Sequence, residues 1–180
     1  GLRITTDRRG RGRSARPSGA TSRRMCTETD HAGGTTTDAE RPLTSKGLEQ
    51  VAAMARLFQR LACMPACMVT SPLVRARQTA DRLRDALDAA KCEVVETEEL
   101  APGGSSKKLA RFLRKLKGAP LFLVGHEPDI SRHAAWFAGS RRTQLVFAKA
   151  GVACLDCSEP PAKGAGTLLW LVTPSLYSNC

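Results

Sequence analysis

One of the three histidines in this chain stands where it could do chemistry. His126 lies in LFLVGHEPDI, residues 121–130, directly after an apolar run and a glycine. An imidazole in that place can serve near neutral pH as nucleophile, base or donor to an anion. A second stretch, VTSPLVRARQTA at residues 69–80, leads from an apolar run through Ser71-Pro72 to Arg75. In a helix that starts after the proline, Arg75 falls in the first turn, where unpaired N–H groups and the helix dipole favour an anion. Its guanidinium adds a planar fork of donors that matches phosphate oxygens two at a time. A third stretch, ERPLT at residues 40–44, supplies Arg41 just ahead of a helical pattern. One imidazole and two guanidinium groups on a common edge could hold a phosphoryl group. Taken singly, His126 reads as a structural strand-end residue and Arg75 as a surface cation. Arg77, Arg82, Arg84 and His133 keep that plainer reading.

The three groups meet only if the elements deliver them to one edge. From Thr44, a capping type, Leu48, Val51, Ala52, Ala55, Phe58 and Leu61 follow helical spacing. ACMVTSP reads as a short buried strand. A second helix follows, with Ala76, Ala80, Leu83 and Leu87 on one face. CEVVETEEL begins as a strand, and APGG is a turn. Ser105 or Ser106 caps a third helix with Leu109, Phe112, Leu113 and Leu116 inward. APLFLVG is a continuous apolar strand of the kind buried on both faces. DISRHAAWFAG is a helix stopped by Gly139, and AGVACLDC and GTLLWLVTP form two paired strands. This alternation predicts a three-layer α/β/α domain with a mostly parallel sheet and an antiparallel edge. Ligands of such sheets bind outside the carboxyl ends of the strands, where Ser71, Arg75 and His126 fall.

The chain has 180 residues, enough for one domain with a sizeable core. Its net charge of +11 is uneven: residues 1–25 hold eight arginines and one aspartate. Such a tail could meet nucleic acid or an acidic surface, but it has no aromatic residue for base stacking. Nucleic acid is therefore expected only through the tail. No apolar run approaches the roughly 18–20 residues of a membrane-spanning helix. The seven cysteines are odd in number and irregular in spacing, which argues against a disulfide framework and for a reducing cytoplasm. Cys63 with Cys67, and Cys154 with Cys157, have the look of zinc pairs. Cys67 and Cys154 sit inside apolar strand runs, where a thiol behaves as a small core residue.

RPLTSKG, SPLVRARQTA, LVGHEPD, KAGVACLD and GTLLWLVTP occur in that order across one α/β domain. Together they resemble the histidine phosphatase superfamily (phosphoglycerate-mutase-like fold), specifically its SixA-type phosphohistidine phosphatase branch. The resemblance covers residues 38–176. It implies two-step phosphoryl transfer. In the family, a histidine in an Arg-His-Gly or Arg-His-Ala motif after the first strand attacks phosphorus, and water then hydrolyses the phosphohistidine. Matched motif by motif, Arg75 and Arg41 would hold the phosphoryl oxygens and His126 would donate to them. No metal or other cofactor is implied. Glu99, after VVETEEL, is the positional candidate for a proton donor.

The front of the chain departs from that pattern. It reads SRRMCTETDHAGGTTTDAERPLT, in which His31-Ala32 stands at a workable distance from Arg41. The residue before His31 is Asp30 rather than Arg, and a carboxylate repels phosphate. LRITTDRRG near the terminus is more strand-like but carries Arg9 where the histidine should be. The expectation is a first strand missing or degenerate, and a basic, disordered or aberrant segment over residues 1–37. The implied substrate is phosphohistidine on a protein of the histidine phosphotransfer type. Alternatives are a small phosphorylated substrate of a phosphatase or mutase, or a non-catalytic member that binds phosphate or RNA.

Overall fold

The computed structural model describes residues 22–28, 40–139, 145–157 and 160–178. Strand β1 (Ser22–Glu28) comes first, followed by helix α1 (Ser45–Arg60), β2 (Cys67–Thr70) and α2 (Val74–Ala86). Then come β3 (Glu93–Glu96), a single 3₁₀ turn at Glu98–Leu100, α3 (Ser106–Leu113) and β4 (Leu121–Gly125). The chain closes with α4 (Asp129–Phe137), β5 (Val152–Cys157), β6 (Gly166–Val172) and α5 (Pro174–Tyr177). The six strands form one sheet in the order β3-β2-β4-β1-β5-β6. β3, β2, β4 and β1 are parallel, while β5 and β6 add the antiparallel edge.

Local chemistry explains the element ends. The Thr44 hydroxyl accepts the Gly47 N–H at 2.9 Å and starts α1. Such a cap satisfies a backbone donor that the first helical turn leaves over. Gly139, at φ +89°, takes the left-handed conformation just after α4, which a residue with a Cβ adopts only with strain.

Alternation along the strands divides the core into two layers. Phe122 and Val124 of β4, with Met68 of β2 and Cys154 of β5, face α1, α2 and α5. Leu121 and Leu123, with Val69 and Leu155, face α3 and α4. The Phe58 and Phe122 rings pack at 4.6 Å between centroids, joining α1 to β4. The Tyr177 hydroxyl donates to the Ala150 carbonyl and fastens α5 to the same layer. Cys63, Cys67, Cys92, Cys154 and Cys157 are buried as reduced thiols. Burial, helped by the neighbouring Cys92 and Glu93, pushes the Cys67 thiol up to about 11. Among the described residues, no helix is long and apolar enough to cross a membrane.

Two expectations need correction. The first strand is present: β1 pairs in parallel with β4 and antiparallel with β5 at the centre of the sheet. Its sequence, SRRMCTE, lacks an apolar run, so hydrophobic pattern could not find it. Backbone pairing on both sides supplies what the pattern lacks, because ladder hydrogen bonds do not depend on side-chain type. The sheet thus draws on residues ahead of position 38. The buried face of α1 is also broader than the one expected: Val51, Ala55 and Phe58 are inside as expected. Ala53 and Met54 are buried there, whereas Leu48 is 42% exposed and Ala52 lies on the solvent side.

A buried polar contact locks α3 to α4. His133 is fully buried, and its Nδ1 lies 2.7 Å from the Ser106 Oγ. Burial first, then the Arg132 charge, lowers its pKa to about 4, against weaker opposing effects of Asp129 and Glu99. The ring is therefore neutral in the native protein.

Two outcomes follow. Phe122→Ala should lower stability by about 3–5 kcal/mol in urea unfolding, while Leu169→Ala on the exposed side of β6 should change it by no more than about 0.5 kcal/mol. The unfolded chain takes up a proton at His133 near pH 6.5, whereas the native ring holds out until about pH 4. Stability should hence fall as pH drops through that window, by up to the order of 3 kcal/mol. Unfolding curves of His133→Gln across the same window should show a flatter pH dependence than the parent protein.

Candidate active site

The parallel strands β3, β2, β4 and β1 present their carboxyl ends at one edge of the sheet. Thr70 of β2 is level with Val124 of β4. The stitching continues past the strands: the Ser71 N–H donates to the Val124 carbonyl at 3.1 Å, and the Thr97 N–H to the Thr70 carbonyl at 2.9 Å. Chain segments leaving these strands are thereby held at one height.

Arg75 is the second residue of α2 and only 5% exposed. A buried cation needs dipoles or an anion around it to offset its lost hydration. His126, also 5% exposed, follows Gly125 directly at the end of β4. A Cβ at Gly125 would stand 3.2 Å from Ile130 Cδ1 and 3.4 Å from the Leu100 carbonyl oxygen. The glycine thus permits the tight packing that sets the His126 turn. The His126 carbonyl accepts the Ile130 N–H at 2.8 Å, tying that turn to the start of α4.

Arg41 is half-buried, and its segment is anchored to α2. The Leu43 N–H donates to Gln78 Oε1 at 2.8 Å. Gln78 lies three residues after Arg75 on the same helix, so one side chain ties the Arg41 segment to the element carrying Arg75. The sequence reading overlooked Gln78; its spacing from Arg75 within RARQTA was the available signal. The other α2 arginines fit their plainer reading. Arg77 pairs with Asp81 at 3.0 Å and Glu96 at 2.7 Å, and Arg84 with Asp81 at 3.3 Å and Asp85 at 3.2 Å.

Glu99 sits at the same edge, where its carboxylate holds a loop. Its Oε2 accepts the Ser105 N–H at 3.0 Å. Asp129 accepts the Gly103 N–H at 2.6 Å and pairs with Arg132 at 2.5 Å, while Arg132 donates to the Gly104 carbonyl at 2.9 Å. A Cβ at Gly104 would fall 2.1 Å from the Glu99 carbonyl oxygen, so only glycine fits. Residues 99–105 are thus pinned to α4 beside His126.

Glu127, the next residue after His126, was also overlooked. The Ser131 hydroxyl donates to its Oε2 at 2.7 Å. Burial raises its pKa and Asp129 adds to the rise, against the Ser131 hydroxyl and the Phe147 N–H, which favour the carboxylate. Phe147 precedes β5, so this carboxyl joins the turn after β4 to the segment before β5. In the sheet, β1 lies between those two strands. The last residue of β1, Glu28, is level with Gly125. His31 comes three residues later and lies outside the described residues, as do Asp30 and Arg9.

Comparison with known proteins agrees with this fold. The family model described as "Histidine phosphatase superfamily (branch 1)" matches residues 26–102. An uncharacterized protein of Picosynechococcus is 38% identical over 119 residues, covering 64% of this chain and 71% of that protein. Phosphohistidine phosphatase SixA of Escherichia coli is 26% identical over 141 residues, 76% of this chain and 84% of its own length. The solved structure of the protein histidine phosphatase SixA complexed with tungstate superposes with a TM-score of 0.76 at 24% identity, covering 86% of this chain and 98% of that one. Shared fold and shared sequence thus converge: the chain belongs to the histidine phosphatase superfamily and is similar to its SixA-type members.

Proposed function

We propose that the chain removes the phosphoryl group from phosphohistidine on another protein, by way of a phosphohistidine of its own. The observation that carries this reading is the burial of Arg75 and His126 where two neighbouring parallel strands end. Arg75 and Arg41 hold the phosphoryl oxygens, and His126 donates to them. Most of the catalytic work is then positioning and charge stabilisation, as phosphoryl transfer demands.

His31 is the proposed nucleophile. It follows the end of β1 by three residues, and the family match, which starts at Cys26, runs through it. Its imidazole nitrogen bonds to phosphorus while the bond from phosphorus to the substrate imidazole breaks. The departing imidazole takes up a proton. Water then attacks the phosphorus, inorganic phosphate leaves, and His31 is restored. Neutral imidazole is a capable nucleophile at neutral pH.

A protein substrate is favoured by the short connection between β3 and α3 at this edge. Pinned in place by Glu99 and Asp129, the loop of residues 99–105 offers little chain to enclose a sugar phosphate. The substrate is accordingly a phosphotransfer protein of the cytoplasm. One residue favours a second reading, phosphate binding without turnover: Asp30 adjoins His31 and opposes an incoming anion.

Release of labelled phosphate from a phosphohistidine-bearing phosphotransfer protein tests the proposal. Arg75→Ala and His126→Ala should each lower kcat/KM by about 10²–10³, and His31→Ala should abolish the acid-labile phosphoenzyme. Turnover of a small chromogenic phosphate faster than the protein substrate would point to a small phosphoester instead. Phosphate binding with no turnover of either substrate would establish the second reading. Gln78→Ala, which frees the Arg41 segment, should raise KM roughly tenfold, the loss of about one charge-assisted hydrogen bond, with a smaller change in kcat.

A further inference from the structure

Helix α3 carries charge unlike that of α2. Between Ser105 and Gly118 the chain has six cations and no acid. Three of them, Lys107, Arg111 and Arg114, line a cavity of about 450 Å³ with Trp136 of α4 and Lys163 of the segment before β6. Among the described residues, no acidic one lines it. Whereas α2 neutralises Arg77 and Arg84 with carboxylates, none of these four cations pairs with one among the described residues. Arg114 Nε donates to the Pro161 carbonyl at 2.9 Å, which fixes the guanidinium at the cavity wall. None of Arg41, Arg75 and His126 belongs to the lining.

The lining specifies a ligand class. A concave space of this volume matches a small molecule better than a flat protein surface. Two arginine forks favour phosphate oxygens over a single carboxylate. The half-buried indole of Trp136 is held edge-on against Phe137, with ring centroids 5.2 Å apart. An indole in a cationic pocket suits a flat heteroaromatic ring by stacking. This chain's own front segment is a poor occupant, because its arginines would meet like charge. We infer that this α3–α4 cavity is a second anion site, which takes a nucleoside diphosphate with its phosphates on Arg111 and Arg114 and its base against Trp136.

The full chain has two tryptophans, so Trp170→Phe leaves Trp136 as the sole indole reporter. Titration of that protein with ADP should quench its fluorescence saturably. Arg111→Ala with Arg114→Ala should weaken ADP binding at least tenfold, and Arg75→Ala should leave it intact. Far-UV circular dichroism melts should show the exposed Arg111/Arg114 double variant and the buried-site Arg75→Ala variant folded. An absent response, a response unchanged in the double variant, or one lost in Arg75→Ala would overturn the proposal. Pyrophosphate should compete more weakly than ADP; equal competition would show that the ring contributes nothing and would also overturn it. Because binding is read without turnover, these results stand apart from the phosphatase reading.

Discussion

Strand β4 sets the position of almost everything described above. It is buried on both faces and pairs with β2 on one side and β1 on the other. Its register puts Gly125 level with Glu28 and Val124 level with Thr70. Because side chains alternate across a strand, a slip by one residue would exchange the two core layers. Phe122 would leave the α1–α2 layer, and Leu123 would leave α3 and α4. That penalty fixes the register, and the register fixes the height at which His126 and the α2 turn emerge. The precision of the edge is thus inherited from the core.

Most of this was legible in the sequence because it rests on local rules. The Ser-Pro exit from an apolar run, the glycine before His126 and the four apolar residues of β4 carry their geometry with them. α2 buried the face that its spacing indicated, with Ala76, Ala80, Leu83 and Leu87 inside. α1 did so in part: Val51, Ala55 and Phe58 are inside, but Ala53 and Met54 are buried where Leu48 and Ala52 were expected, because two faces of that helix are apolar enough to compete. β1 was illegible for a different reason. Two partner strands hold it by backbone hydrogen bonds, and no side-chain pattern records that. Glu99 shows a third limit: position placed it at the right edge, but only the loop it caps reveals that its carboxylate is occupied.

Charge is divided between the two helical layers with different results. Asp81 and Asp85 of α2 and Glu96 of β3 pair with Arg77 and Arg84, while Arg75 is the helix's buried cation. Exposed pairs of this kind add little stability, so their main effect is on the local field. The field near the α2 turn is then shaped by Arg75 and the helix end. On α3 the cations stand without carboxylate partners among the described residues, and the outer face remains attractive to anions. A protein with a strongly positive total can in this way keep a discriminating edge on one side and a permissive one on the other.

The buried sulfur atoms have a practical corollary. With its pKa near 11, Cys67 is ionised in roughly one molecule in ten thousand at neutral pH, and the thiolate is the reactive form. Alkylating reagents should therefore bypass the core while the sheet is closed and label it when strands separate. The chain carries its own chemical clock for opening, read by mass spectrometry as the rate at which each sulfur gains a tag. Cys67 and Cys92, side by side at the β2–β3 border, would time the sheet margin. Cys154, on β5, would time its interior.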